Sequence, residues 1–430
     1  MIFSAIPGVG EPPARGAHMT PTLYLSRTGM LEPLGQSQVL GYLRGLSHNY
    51  AVTLISFERE ADLADHEQLA KIEAICADHG IRWVRLHYRR RPRIFAAAWN
   101  LSVLAWQTWR EVRRNKVRLI HARSYIPAAA AWAVSRVTGI PYVFDMRSLW
   151  PEELITSRRL RRGSLLHRLI FLTERRLLSD AGVVVSLTQA GARYLDEVHP
   201  GALSDDRLRV IPTCADLDRF RPGPAALQAV GPLIGCHGSL TSGWVRVDLL
   251  AKMFDLLAKR LPGARFEIIT REDPDTVLRA LNVTRDADSD WRAGLSISAA
   301  NASEIHERVR RQALSMFFYA SGAASELGRS PTRMGEALGC GVPVVTNEGI
   351  GDVAEIVRSS NFGVVIDGED NVALARAADD VVALLQDPNH SFRCRQSAER
   401  IYSLDAGVAG YREIYRDLLS PQKARHAGSL

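Results

Sequence analysis

A chain of 430 residues exceeds what one hydrophobic core usually organises, so two domains of roughly 200 residues each are expected. With 46% apolar and 23% charged residues, general disorder is excluded. The net charge of +7 suits acidic partners such as phosphates or an anionic membrane surface, though it also serves solubility, and no motif supports nucleic acid.

The segment Met1 to His18 is rich in Gly and Pro and lacks the cationic start and apolar core of a secretory signal. It is expected to be a disordered leader, with Met19 as a second candidate start. From there short apolar runs alternate with helix-like segments, the signature of parallel sheets with crossover helices, so the fold class is α/β. Strands are expected at Leu23 to Ser26, Val52 to Ser56, Arg82 to Leu86, Leu119 to Ala122, Tyr142 to Asp145, Gly182 to Ser186 and Arg209 to Ile211. Pro212, Pro222, Gly223 and Pro224 break the alternation. It resumes at Leu233 to Cys236, Arg265 to Thr270, Ser296 to Ser298, Ser315 to Tyr319, Val342 to Thr346 and Gly363 to Ile366. The expected division is a leader at 1–18, a first domain at 19–225, a second at 226–404, and a closing helix with a solvated tail at 405–430. The helix carries Val408, Tyr411, Ile414, Tyr415 and Leu418 at helical spacing, as if to pack back on the first domain.

The five cysteines are far apart in sequence and form no Cys-x-x-Cys pair, which points to reduced, buried thiols and a cytoplasmic protein. No run reaches the roughly 20 apolar residues of a membrane helix. Arginines crowd at Arg89 to Arg93 and at Arg158, Arg159, Arg161, Arg162 and Arg168, with Trp99, Trp106 and Trp109 near in sequence. Two readings stay open: peripheral contact with anionic lipid at the inner face of the cytoplasmic membrane, or a solvated basic face with tryptophans in the core.

Several stretches have the residue types of a ligand site. After the first strand, Gly29 to Leu40 places Gly35 and Gln36 at the opening of an apolar helix, where backbone can approach a phosphate. It lacks Gly-x-Gly-x-x-Gly, which disfavours a NAD-dependent enzyme. His121 and Arg123 end one strand, and Asp145 and Arg147 end the next. They can position a polyhydroxylated, phosphorylated substrate, or be a buried histidine and an internal ion pair. In Ser330 to Val345, Ser330 suits an N-cap and Pro331 the first helical position, while Thr332, Arg333 and Glu336 share neighbouring faces able to hold a phosphate and a hydroxyl pair. The alternative is a surface pair between Arg333 and Glu336. Asp286 and Asp288 form an Asp-x-Asp in an acidic loop, a weak metal signal.

These motifs, in this order, resemble the GT-B glycosyltransferases, and within them the retaining family 4 members that build bacterial surface polysaccharides. The resemblance rests on Gly29 to Leu40, His121 to Pro127, Phe144 to Trp150, Ile211 to Phe220, Gly238 to Leu240 and Ser330 to Val345, and runs from about Leu23 to the last helix. It implies two Rossmann-like domains across a cleft and transfer, with retention, from a nucleotide-sugar, in first place a UDP-sugar, to a lipid-linked or saccharide acceptor. No cofactor or metal is implied. Glu336 would bind the donor ribose, with Ser330, Thr332 and Arg333 by the diphosphate or sugar, and Gly35 and Gln36 meeting the diphosphate from the other domain. His121 would contact the transferred sugar, with Arg123, Asp145 and Arg147 nearby. Two departures stand out. Gly328 replaces the family's glutamate eight residues before Glu336, with Glu326 close by. The basic pair after the Gly238 loop is missing, leaving Arg246 or Arg271 to supply charge. Nucleotide-sugar 2-epimerases share the architecture, and a non-catalytic scaffold is the third reading.

Overall fold

The computed structural model describes residues 19–89, 93–223, 231–282, 291–292, 294–301 and 303–420, with backbone alone for 93–95. The leader, Arg90 to Pro92, the side chain of Arg93, the 225/226 boundary, Asp286 and Asp288, and the tail from 421 lie outside the described residues.

Seven parallel strands form the first sheet: β1 (Thr20–Ser26), β2 (Tyr50–Glu58), β3 (Arg82–His87), β4 (Leu119–Arg123), β5 (Tyr142–Asp145), β6 (Val183–Ser186) and β7 (Leu208–Val210). Their order is β3-β2-β1-β4-β5-β6-β7. Six form the second: β8 (Leu233–His237), β9 (Arg265–Ile269), β10 (Leu295–Ser298), β11 (Leu314–Phe317), β12 (Val344–Asn347) and β13 (Gly363–Ile366), in the order β10-β9-β8-β11-β12-β13. Both orders are doubly wound, as expected from the alternation. Central strands β4, β5 and β6 are buried throughout, whereas the edge strands β3 and β10 are partly exposed. Helices covering both faces explain this contrast and the near-continuous apolar runs that made the central strands legible. β12 starts two residues later than expected because Pro343 has no N–H to give; its carbonyl accepts from Ser315 N–H instead (3.0 Å).

The chain divides into two compact units, Met1–Val143 with Tyr411–Leu430, and Phe144–Gly410. In the first, the last helix (Leu404–Leu419) brings in Tyr411 and Tyr415: Tyr411 meets Tyr42 edge-on (5.3 Å between centroids) and Tyr415 meets Tyr50 (5.0 Å). Trp99, Trp106 and Trp109 are exposed on the helix Arg93–Asn115, so the core reading of these tryptophans fails. Their rings lie under Arg89, Arg110 and Arg113. In the second unit, Phe254, Phe266 of β9 and Trp291 pack into an aromatic cluster, and Met334, Leu338 and Phe362 belong to a second, mixed apolar core by β12. All five cysteines are buried and none forms a disulfide. No helix among the described residues is long and apolar enough to cross a membrane.

Candidate functional site

In each sheet the strand order reverses beside the first strand, and it is outside the carboxyl ends of the strands at such a point that open α/β sheets hold ligands. In the first unit that point lies between β1 and β4, which pair in parallel. The loop after β1 is pinned by Glu58, fully buried at the end of β2. Its carboxylate accepts from Met30 N–H (2.9 Å), Leu31 N–H (3.5 Å) and Ser56 Oγ–H (2.6 Å). Burial raises the Glu58 pKa, and these hydrogen bonds oppose the rise. Gly35 is helical at φ −63°, yet a Cβ there would stand 2.0 Å from the Gly29 carbonyl oxygen. Glycine is needed for the close approach, not for the dihedral. Gln36 Nε2–H donates back to Leu31 O (3.4 Å), so the predicted phosphate loop is closed on itself around Gly29 to Gln36.

At the end of β4, His121 is 1% exposed. Its ring is boxed by Tyr24, Tyr411 and Tyr415 (centroids at 4.3, 5.0 and 5.8 Å), and its Nδ1 is 2.9 Å from Tyr415 Oη. Arg123 is likewise buried. The next residue, Ser124, has φ +75°, a left-handed conformation that costs on the order of 1–3 kcal/mol outside glycine and clusters at functional sites. In the second unit Asp145 and Arg147 are both buried, with Arg147 Nη1 3.6 Å from Asp145 Oδ1, and Arg147 too has a positive φ (+63°). The internal ion pair is therefore present, held on a strained turn just past the strand.

The helix Thr332–Gly339 is placed by contacts at both ends. Pro331 is the residue preceding its first turn, and Ser330 does not cap it. This corrects the expectation of a Ser330 N-cap. The Ser330 hydroxyl is taken instead by the connector after the first sheet: Thr213 N–H donates to Ser330 Oγ (3.2 Å), and Thr213 Oγ1–H donates to Ser330 O (2.5 Å). At the other end Gly339 ends the helix and Gly341 adopts φ +75°. Arg395 Nη1–H donates to the carbonyls of Leu217 (3.1 Å), Phe220 (2.9 Å) and Gly339 (3.0 Å), clamping helix and connector together.

That clamp presents Arg333 and Glu336 to the loop after β8. His237 Nε2–H donates to Glu336 Oε2 (3.1 Å), and Arg333 Nη2–H donates to Ser239 O (3.2 Å). A Cβ on Gly238, whose φ is +105°, would fall 2.5 Å from the Arg333 guanidinium carbon. The alternative of a mutual Arg333–Glu336 surface pair is thus replaced by one contact to the last residue of β8 and one to the loop that follows it. Glu336, with one oxygen held by His237, has a second oxygen available to vicinal hydroxyls. Thr332, on the first turn, is partly buried.

Sequence reasoning missed His237 and Glu272. His237 was within reach, being the polar residue that ends β8 directly before Gly238. Glu272, just past β9, accepts from four donors: Ser239 Oγ–H (2.6 Å), Leu240 N–H (2.8 Å), Thr241 N–H (3.1 Å) and Thr241 Oγ1–H (2.6 Å). Burial would raise its pKa; the hydrogen bonds from Ser239, Thr241 and Leu240 outweigh that and bring it down to about 2. A carboxylate thus lies where the missing basic pair was expected to serve a diphosphate. Arg246 is held by Asp248 (2.7 Å) and Glu369 (2.5 Å), and Arg271 is exposed. Glu326 is buried and paired with Arg329 (2.5 Å), which stacks on Trp244 and Tyr319. Gly328 is packed against Leu149, where a Cβ would come within 2.9 Å of Leu149 Cγ.

Residues 36–219 match the sequence pattern of Glycosyltransferase Family 4. No curated relative matches the chain by sequence. Among solved structures, a glycosyltransferase from Rickettsia africae is similar at 13% identity and TM-score 0.65, covering 94% of this chain and all of its own. Sucrose-phosphate synthase from Thermosynechococcus elongatus is similar at 14% identity and TM-score 0.66, covering 93% of this chain and 99% of its own. HepE from Anabaena, solved in complex with UDP, is similar at 14% identity and TM-score 0.65, covering 93% and 100%. Two doubly wound sheets of this order give the chain the GT-B fold that these structures share, and its residues 36–219 are similar to Glycosyltransferase Family 4.

Proposed function

We propose that the protein transfers a sugar from a UDP-sugar to a lipid-linked or saccharide acceptor with retention, in the building of a bacterial surface polysaccharide. The observation that carries this reading is Glu336, fixed by His237 midway along a mostly buried helix, with Arg333 one turn earlier. A carboxylate so held suits a ribose diol, and the guanidinium suits a diphosphate. That HepE was solved with UDP favours uridine over other bases.

In this reading Glu336 holds the ribose, while Arg333, Thr332, Ser330 and the Gly238 loop face the diphosphate and sugar. Negative charge grows on the departing diphosphate, and Arg333 with the backbone N–H groups of the helix start stabilises it. The acceptor hydroxyl attacks from the side the nucleotide leaves, and the departing phosphate takes its proton. Within the second unit Asp145 and Arg147 serve the sugar or acceptor; within the first, His121 and Arg123 at the end of β4 and Gly35 and Gln36 after β1 are the candidate substrate contacts. No step calls for a metal or cofactor. A lipid-linked acceptor would bring the protein to the inner face of the cytoplasmic membrane.

Calorimetric titration of UDP, GDP and ADP into the protein and its Glu336→Ala variant tests the assignment. Loss of charge-assisted hydrogen bonds costs about 1.5–3 kcal/mol, so UDP affinity falls roughly tenfold or more. If no nucleotide binds the parent, the donor site is elsewhere and a scaffold role replaces it. If a UDP-sugar is isomerised without an acceptor, epimerase chemistry replaces transfer.

A further inference from the structure

We propose that the outer face of the helix Leu165–Asp180 is a docking surface for an anionic phospholipid bilayer. It rests on the peripheral-membrane part of the reading above and not on the sugar chemistry. Residues 165, 169, 172, 176 and 179 are spaced by four, three, four and three, so they line one face of the helix. The first three are leucines, 84%, 61% and 60% exposed, and Leu166 widens the row at 56%. The same stripe continues into Arg176 and Ser179, which with Leu172 and Arg175 line a pocket of about 550 Å³. Two guanidiniums beside a leucine row match the two parts of an anionic lipid, a phosphodiester above acyl chain.

Three further observations fit. The two carboxylates on the helix do not interrupt the outer row: Glu174 turns inward to His199 Nε2 (2.7 Å), and Asp180 ends the helix. Leu177 and Leu178 supply the buried side, so the exposed leucines are not needed for the core. The loop ahead of the helix adds exposed Arg158, Arg159 and Arg161. This cationic setting attracts anionic lipid and repels a second copy of the same face.

The test is co-sedimentation of the full chain with phosphatidylglycerol-containing vesicles and with pure phosphatidylcholine vesicles. Two variants are compared, Leu165→Gln/Leu169→Gln/Leu172→Gln and Arg175→Gln/Arg176→Gln, both on exposed positions. The parent is expected to bind the anionic vesicles in a salt-sensitive way, and each variant to lose at least about tenfold in partitioning, with unchanged melting temperature. Equal binding by the leucine variant, or no binding by the parent, overturns the proposal. So does sedimentation equilibrium showing a dimer that the leucine variant abolishes while vesicle binding stays. UDP titration on the same samples separates the two readings: vesicle binding without UDP binding sinks the donor assignment and leaves the docking surface standing, and the converse sinks the docking surface alone.

Discussion

Alanine at Gly35 sets two effects of opposite sign against each other. The residue is helical, so on propensity alone Gly35→Ala should stabilise by about 1 kcal/mol. The new Cβ, however, would sit 2.0 Å from the Gly29 carbonyl oxygen and 2.8 Å from its carbon. Gly29 has no room to retreat, because its own Cα faces Glu58 Oε2 and Phe57 O, which a Cβ would meet at 2.5 and 2.9 Å. Forced overpacking costs about 1–3 kcal/mol, and backbone wedged on both sides belongs at the upper end. The net loss is about 2 kcal/mol, and for a unit of this size that lowers the melting temperature by about 4–8 °C. Gly80→Ala is the comparison: φ is +64° but no atom lies within 4 Å, so the left-handed backbone alone should cost about 1–2 kcal/mol. Differential scanning calorimetry of both variants decides. If Gly35→Ala melts at or above the parent, the close approach of Gly29 and Gly35 is not what fixes that loop.

Glu272, with a pKa lowered from 4.5 to about 2, contributes stability above pH 4.5 that is lost as pH falls toward 2. In Glu272→Gln that part of the acid limb should disappear from a melting-temperature profile, and an unchanged limb would remove Glu272 as its source. Gly328→Glu supplies the carboxylate that the sequence resemblance leads one to expect there, but the side chain must displace Leu149, so a loss of about 1–3 kcal/mol and no gain in UDP affinity are expected by thermal melting and calorimetry. Tyr415→Phe removes the hydroxyl 2.9 Å from His121 Nδ1 in a buried box, which should cost about 1 kcal/mol or more in chemical denaturation.

The strands were legible because parallel sheets bury both faces, and runs such as Tyr142–Asp145 and Gly363–Ile366 then stand out by composition with their limits intact. Pro343 shifted a boundary for a local reason that sequence also holds. Arg333 and Glu336 could be named because three-residue spacing puts them on one helical turn, but their partners could not: His237 and Ser239 lie almost a hundred positions away. The same limit hid the role of Ser330, whose pattern reads as a cap until Thr213 arrives from 117 positions upstream. It hid Glu272 as well, since four donors on one carboxylate are assembled by the β8–β9 register and not by any local motif.

The closing helix gives the chain an order of assembly. Tyr411 and Tyr415 wall the His121 box, and the Tyr50 hydroxyl reaches the Arg412 carbonyl (3.4 Å) across 362 positions. A nascent chain that has emerged as far as Val143 therefore has the four strands of its first unit but lacks the lid of their aromatic core. Roughly 270 residues must still be made, and at about 5–20 residues per second that is a wait of some ten to fifty seconds. During that time Tyr24, Tyr42 and His121 face water or a chaperone, and any message cut short before the final helix yields a unit that cannot close.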